Sequence, residues 1–296
     1  MTQTLRLSGL FLTAALLAAC SGSSDIGEDV IDDDTFDGDG LLLDGTEEPS
    51  SSASIERYDG DQEVSLVSYD ESTDVFTVNN LPFDGSGAYD RDDIILSVNG
   101  FNVYENNNDT PIREYKALHS SSTSGKTSVS IVKTGSYIDH GFGGFVYARN
   151  GSVKLPTSGQ AVFAGDYAGL RTSDTSAVLQ YVAGNAYLEV DFEDLDSSNA
   201  VEGYIENRQV YDTNGNAVDS TVPTIILATG GITQAGEIVG SASSFTENED
   251  GSSTEFETGN YYAVIAGKNA DEIAGVIVIQ QGDVEETGGF FAYEVE

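Results

Sequence analysis

Between Gly259 and Ile279 the chain reads as two apolar strands joined by a tight Gly-Lys-Asn turn at Gly267 to Asn269. In the second arm Ile273, Gly275, Ile277 and Ile279 fall on one face and Ala274, Val276 and Val278 on the other. Side chains alternate across a strand, so neither face of this arm is polar and both need cover. A small closed barrel meets that need on the inner side. Its narrow corners also use glycines, which let a strand bend sharply or lie close to another backbone.

The rest of the composition agrees. Among 296 residues, 39% hydrophobic content is enough for a core, Gly reaches 33, Tyr and Phe are plentiful and Trp is absent. Helical periodicity is hard to find after the first twenty residues, and the chain is read as all-β. The formal charge of −38 repels phosphate backbones and excludes nucleic acid as a partner. A charged partner of such a surface is basic.

The N-terminus carries Arg6, then an apolar run from Leu10 to Leu17, and ends Leu17-Ala-Ala-Cys20 before Ser-Gly-Ser-Ser. This run is short for a membrane span and resembles a bacterial lipoprotein signal peptide over residues 1–19, with its lipobox ending at Cys20. The resemblance implies a lipidated Cys20 as the new N-terminus and an outer-membrane, cell-surface location. The alternative is a plain secretory signal with an incidental cysteine. Cys20 is also the only cysteine, so no disulfide forms within one chain. Residues 20–54 are rich in Asp, Glu, Gly and Ser and cannot bury enough apolar surface to order themselves. As a tether of 35 residues they would average about 35 Å end to end. Within them Asp33, Thr35, Asp37, Gly38 and Asp44 partly mimic a calcium loop, with Thr where Asp or Asn is expected; a solvated acidic linker is the plainer reading.

Two folded units follow. In residues 55–154 strands are expected at Glu63 to Tyr69, Asp74 to Asn79, Ser128 to Lys133 and Gly144 to Arg149. The clearest hairpin there is Asp93 to Val98, Asn99-Gly100, Phe101 to Tyr104, because Asn-Gly supplies the positive φ angles of a type I′ turn. In residues 155–296 eight strands are expected, at Ala161 to Leu170, Tyr187 to Phe192, Val201 to Asn207, Thr224 to Thr229, Glu237 to Phe245, Glu255 to Ala266, Glu272 to Gln280 and Gly289 to Tyr293. Their regular spacing suits an up-and-down barrel.

Within that unit Leu155-Pro-Thr-Ser-Gly-Gln-Ala161 with Gly165, Val190-Asp-Phe192 with Gly203, Glu272-Ile-Ala-Gly275 and Gly288-Gly-Phe-Phe-Ala292 resemble, in order, the barrel of transferrin-binding protein B-like surface lipoproteins. The resemblance covers about half the chain. It implies a small β-rich handle domain over residues 55–154 followed by an eight-stranded antiparallel β-barrel over 155–296, one lobe in all. It also implies a binding role in iron or haem acquisition, with an iron- or haem-carrying protein and an outer-membrane receptor or exporter as partners. The family's long transferrin-holding loops have no recognisable counterpart, so no binding residue is carried over. A transmembrane barrel is the structural rival, against which the lipobox and the terminal Tyr293-Glu-Val-Glu296 count.

Catalytic chemistry is not expected. His119 and His140 are the only histidines and neither lies in a spaced motif for a triad or a zinc site. His140-Gly-Phe-Gly-Gly144 lacks an accompanying Gly-x-Ser-x-Gly elbow, and Gly165 to Gly169 lacks the lysine of a phosphate loop. The chain is therefore read as a binding protein and not an enzyme, with no required cofactor and no metal. The alternatives are a direct haem or small-ligand carrier, with His119 and His140 as candidate axial ligands, and a structural envelope lipoprotein with no ligand. For a protein partner, loops are the candidates. Pro82 to Arg91 offers Phe83, Tyr89 and Arg91, and Arg208 to Asp219 offers Tyr211; Tyr89 and Tyr211 are read alternatively as capping the core.

Overall fold

The computed structural model describes residues 67–78, 86–106, 114–135, 142–195, 199–220 and 222–295. The signal peptide, Cys20, the acidic tether, Phe83 and His140 lie outside the described residues. Every named element is a strand, as the sequence leads one to expect. An open antiparallel sheet runs in the order β1 (Val67–Asp70), β2 (Val75–Val78), β3 (Ala88–Arg91), β5 (Phe101–Glu105), β6 (Tyr115–Ser121), β7 (Thr127–Thr134), β8 (Gly143–Arg149), with β4 (Ser97–Val98) paired to β5. A closed antiparallel barrel follows. Its strands are β9 (Gln160–Ser173), β10 (Ser176–Asp191), β11 (Val201–Tyr211), β12 (Ile225–Ile232), β13 (Glu237–Glu247), β14 (Ser253–Ala266), β15 (Glu272–Gln281) and β16 (Val284–Glu294), closed by β16 pairing with β9.

The two-sided apolar arm is β15. Ile273, Ile277 and Ile279 enter the lumen beside Phe163, Leu188, Ile205 and Ile238. Ala274, Val276 and Val278 face outward, into a second core with Phe101, Val103, Leu118, Val129, Ile131 and Phe145 of the open sheet. The sheet thus lies against the outside of the barrel and covers the wall made by β14, β15, β16, β9 and the start of β10. Burying a Val, Leu, Ile or Phe side chain contributes about 1.5–3 kcal/mol. Polar ties add direction to that contact. Asn99 Nδ2, at the tip of the β4–β5 hairpin, donates to the carbonyls of Tyr167 (3.0 Å) and Gly184 (2.6 Å). Arg149 Nη1 donates to Ala235 O (2.5 Å) and Ile265 O (3.0 Å), and Lys133 forms a buried ion pair with Glu285.

Expectation and structure part at several places. The hairpin at Asn99-Gly100 forms with φ of 44° and 86°, but only Ser97 and Val98 of its first arm are strand. Asp92 Oδ1 accepts from the amides of Ile94 (2.7 Å) and Ile95 (2.8 Å), and this Asx-type capture turns 92–96 into a loop. Strands β3 and β6 were not expected from the pattern. β11 continues through Arg208 to Tyr211, where a loop was expected, and β10 begins at Ser176 rather than near Tyr187.

Inside the barrel, aromatic rings lie over glycines on adjacent strands. Tyr261 pairs directly with Gly240, and Phe290 with Gly275. Tyr167 lies diagonally over Gly288, where a Cβ would come within 2.0 Å of the tyrosine hydroxyl. A ring can fill the lumen only where the neighbouring strand leaves this space. Gly288→Ala is therefore expected to force Tyr167 out of its position and lower stability by about 1–3 kcal/mol, read as a fall in Tm. An unchanged Tm would mean that the ring has room to move.

Candidate functional site

The lumen holds packed side chains. Toward the end that bears the β9–β10, β11–β12, β13–β14 and β15–β16 turns, the apolar filling gives way to a buried ionic network. Arg208 grips Glu257 with both Nη atoms (2.7 and 2.9 Å) and donates to Glu286 (2.6 Å). Ser244 Oγ donates to Glu257 (2.6 Å), Tyr167 OH donates to Glu286 (2.7 Å), and Arg171 lies 3.5 Å from Glu286. Burial opposes the charge on Glu257, yet the Arg208 hydrogen bonds hold its carboxyl below the ordinary range. Arg208 points inward because of a bulge: the register of β11 against β10 shifts between Ala183 and Asn185, and Asn207 takes a φ of 55°. The extra residue switches parity, so that Ile205, Arg208 and Val210 all face the lumen. This filled interior leaves recognition to the outside of the molecule. An apolar lumen with carboxylates such as Glu189 and Glu202 exposed on the outer wall is also the reverse of a transmembrane barrel's pattern.

At the same end, a loop of the sheet meets two loops of the barrel. In residues 92–96 the backbone is held from several sides. Besides the two amides captured by Asp92 Oδ1, Asp92 Oδ2 accepts from Lys116 Nζ (2.5 Å), and Leu96 O accepts from Val103 N (3.1 Å) and Arg91 Nη1 (3.2 Å). Burial disfavours the Asp92 carboxylate, but the Lys116 hydrogen bond and the two amides keep its pKa lowered. Ile95 turns inward over Gly215, whose φ of 81° and missing Cβ leave room for it. The 212–216 turn is tied in its own way, with Asp212 Oδ1 accepting from the amides of Asn214 (2.9 Å) and Asn216 (2.8 Å). Glu114 ties the irregular start of β10 to the 212–216 turn, accepting from Leu179 N (2.8 Å) and Thr213 Oγ1 (3.2 Å). From this fixed frame Ile94, Leu96 and Val178 project into solvent, 63%, 62% and 52% exposed.

The candidate residues fall around this frame rather than on its surface. Tyr89 is not an exposed loop residue: it sits on β3, fully buried against Phe76, because the curled strands β1–β3 enclose a small core of their own. Arg91 is half-buried. Its Nε and Nη2 donate to Asp74 (3.1 and 3.2 Å), and its guanidinium carbon lies 4.8 Å above the centre of the Tyr104 ring, so it braces both β2–β3 and the 92–96 loop. Tyr211 ends β11 and packs against the core shared by sheet and barrel. The exposed contributors, Ile94 and Leu96, were hidden in the sequence inside a run that reads as a strand.

His119 lies on β6 with its ring 4.5 Å from Tyr69 and 5.7 Å from Phe76, and its Nδ1 is 2.9 Å from Ser130 Oγ. The ring is thus enclosed in the small core of the curled strands rather than displayed at the surface. At the opposite end of the barrel, a cleft of about 510 Å³ is lined by Thr123, Ser124, Asp271, Glu272, Tyr293, Glu294 and Val295. Its buried carboxylate, Glu272, already accepts from Ser124 Oγ (2.6 Å) and Thr127 Oγ1.

Burial, with a smaller contribution from Arg91, lowers the His119 pKa to about 4. The unfolded chain then binds more protons than the native state between about pH 4 and 6.5, and stability falls as pH drops through that window. His119→Gln is expected to remove this component. Between pH 7 and pH 5 the wild type should lose about 2 kcal/mol more than the variant, measured by denaturant titration. Parallel pH profiles would contradict the buried neutral imidazole.

No family model and no curated protein matches the sequence. Several solved structures are similar to it. A surface lipoprotein aligns over 57% of this chain and 76% of its own, at 16% identity and a TM-score of 0.35. A variant of transferrin-binding protein B from Haemophilus parasuis Hp5 aligns over 79% of this chain and 46% of its own, at 14% identity and a TM-score of 0.40. The N-lobe of lactoferrin-binding protein B from Moraxella bovis aligns over 82% and 98%, at 10% identity and a TM-score of 0.28. The chain thus spans less than half the length of the H. parasuis protein, and likeness at this level assigns neither a partner nor contact residues. In its sequence motifs and among solved structures alike, the chain is similar to the transferrin-binding protein B group of surface lipoproteins.

Proposed function

We propose that this protein is a lipid-anchored, surface-exposed capture protein that holds a protein partner, of the iron- or haem-carrying class, through the loop face formed by residues 92–96, 174–179 and 212–216. The lipobox ending at Cys20 and the ordered barrel motifs support the anchorage and the class. The single observation that carries the binding face is the rigid display of Ile94 and Leu96. Side chains more than half exposed gain nothing for the fold, whereas their backbone is held by Asp92, Arg91 and Val103. A preorganised loop loses little conformational freedom on binding, which is the condition under which a small apolar centre holds a partner tightly.

Charge sets the partner's sign. Lys116, Lys133, Arg149, Arg171 and Arg208 are all buried, so the surface keeps few cations to offset its carboxylates. Long-range attraction should speed association with a basic partner and weaken with salt. The filled lumen and the enclosed His119 favour capture of a protein over carriage of a small ligand.

The test compares the immobilised wild type with Ile94→Asp, Leu96→Asp in capture from an extract containing iron- and haem-carrying proteins, read by mass spectrometry. The double variant should keep the wild-type Tm, since both side chains are solvent-exposed. It should lose at least tenfold in retention of an iron- or haem-carrying protein. Equal retention by both proteins would remove this face from the function.

A further inference from the structure

The open sheet covers only part of the barrel. On the remaining wall, β10 to β13, a row of large side chains crosses four strands on the outer face. Tyr187 pairs with Tyr204, Tyr204 with Ile226, and Ile226 with Ser243. The two tyrosine rings stack at 4.8 Å with an interplanar angle of 17°. Ile226 is 48% exposed, and Phe245, two residues past Ser243 and beyond a bulge, is 41% exposed. Diagonal neighbours of this kind lie within reach of aromatic side chains. The result is an apolar stripe on a wall that no other part of the described chain covers.

Acidic groups flank the tyrosines. Glu189 on β10 lies directly opposite Glu202 on β11, two register pairs beyond Tyr187 and Tyr204 and so on the same face, and Tyr187 OH donates to Glu189 Oε1 (2.9 Å). Glu206 and Asp166 both pair with Asn185 on the other side of the stack. Like charges placed directly opposite each other on a sheet are destabilising. The only Lys or Arg on β10 to β13 is Arg208, which is buried in the lumen network, so these four strands supply no cation to their own outer face.

Three occupants could cover the stripe, and charge separates them. A second copy would bring the same carboxylates and another formal charge of −38. The chain's own residues 20–54 are acidic as well. A cationic segment is complementary, and Arg suits the geometry better than Lys: its planar guanidinium stacks flat on an aromatic ring and presents five donors in a fixed fork to flanking carboxylates, whereas an ammonium is a compact, strongly hydrated point charge. We propose that the outer wall of β10 to β13 docks an arginine-bearing, extended segment of a partner protein. Its guanidinium groups lie against the Tyr187–Tyr204 stack and pair with Glu189 and Glu202, while its apolar portions cover Ile226 and Phe245. This surface is separate from the 92–96 loop face and does not depend on it.

Fluorescence anisotropy with labelled octa-arginine and octa-lysine, added to the full chain at about 0.15 M salt to screen the general field, tests the proposal. Octa-arginine should bind at least fivefold more tightly than octa-lysine. Tyr187→Ser with Tyr204→Ser should abolish that preference. Glu189→Gln with Glu202→Gln should weaken octa-arginine at least tenfold, whereas Glu71→Gln with Glu249→Gln, the same loss of charge on exposed turns, should weaken it less than twofold. A melting curve for each variant establishes that it is folded. Equal affinity for the two peptides, or equal losses from the two charge-removal pairs, would mean attraction to the net charge alone and would overturn the proposal. A dimer dispersed by Tyr204→Ser would overturn it in favour of a second copy.

Discussion

The structure depends on one contact, the outer face of β14 to β16 pressed against the open sheet. Ala274, Val276 and Val278 would lie in water on an isolated barrel, and Phe101, Leu118, Val129 and Ile131 would lie in water on an isolated sheet. Joining them removes both exposures at once. The large negative charge makes this apolar contact more important, since self-repulsion works against compactness and only burial and a few enclosed cations oppose it. Lys133 and Arg149 are spent in this contact rather than on the surface. The same choice that locks the sheet to the barrel therefore leaves the exterior acidic.

Function follows from that frame more than from the lumen. The barrel interior is occupied by aromatic rings over glycines and, toward one end, by the Arg208–Glu257–Glu286 network. Buried charges of this kind are costly to desolvate and strongly destabilising when one partner is removed, so the network holds a single arrangement rather than adding much stability. Because the sheet is fixed to the wall, its 92–96 loop stands at a constant position beside the 212–216 turn, with Ile95 over Gly215 as the hinge pin. Recognition distributed over two units is then as rigid as recognition on one.

The barrel was legible in the sequence because its lumen imposes alternation. Each of its eight strands was anticipated, and Ile273, Ile277 and Ile279 could be assigned to one face from the pattern alone. What escaped was governed by residues far away in the chain. The first half of β10 lacks a polar face because Tyr181 lies under the sheet. β6 was not anticipated because it carries Lys116 and His119, whose partners Asp92, Glu105 and Ser130 come from elsewhere in the sheet. Asp93 to Val98 reads as a strand, and the capture of two amides by Asp92 turns all of it but Ser97 and Val98 into a loop. Arg208 was expected on a loop because a bulge at Asn207, which changes the facing of everything after it, leaves no hydrophobic signature. The candidate surface residues suffered most: an exposed Ile or Leu and a core one look the same in a sequence, and a tyrosine at a loop end can be either anchor or core, as Tyr89 proves to be.

The central claim is that sheet and barrel form one cooperative unit through the β14 to β16 wall. Native-state amide hydrogen exchange tests it most directly, because it resolves local and sub-global openings from global unfolding. The account predicts that the amides of β6 and β7 exchange with the same opening free energy as those of β14 and β15 and respond together to denaturant. If β6 and β7 exchanged through an opening of much lower free energy while the barrel stayed protected, the sheet would be a separately unfolding attachment and the fixed loop face would not exist.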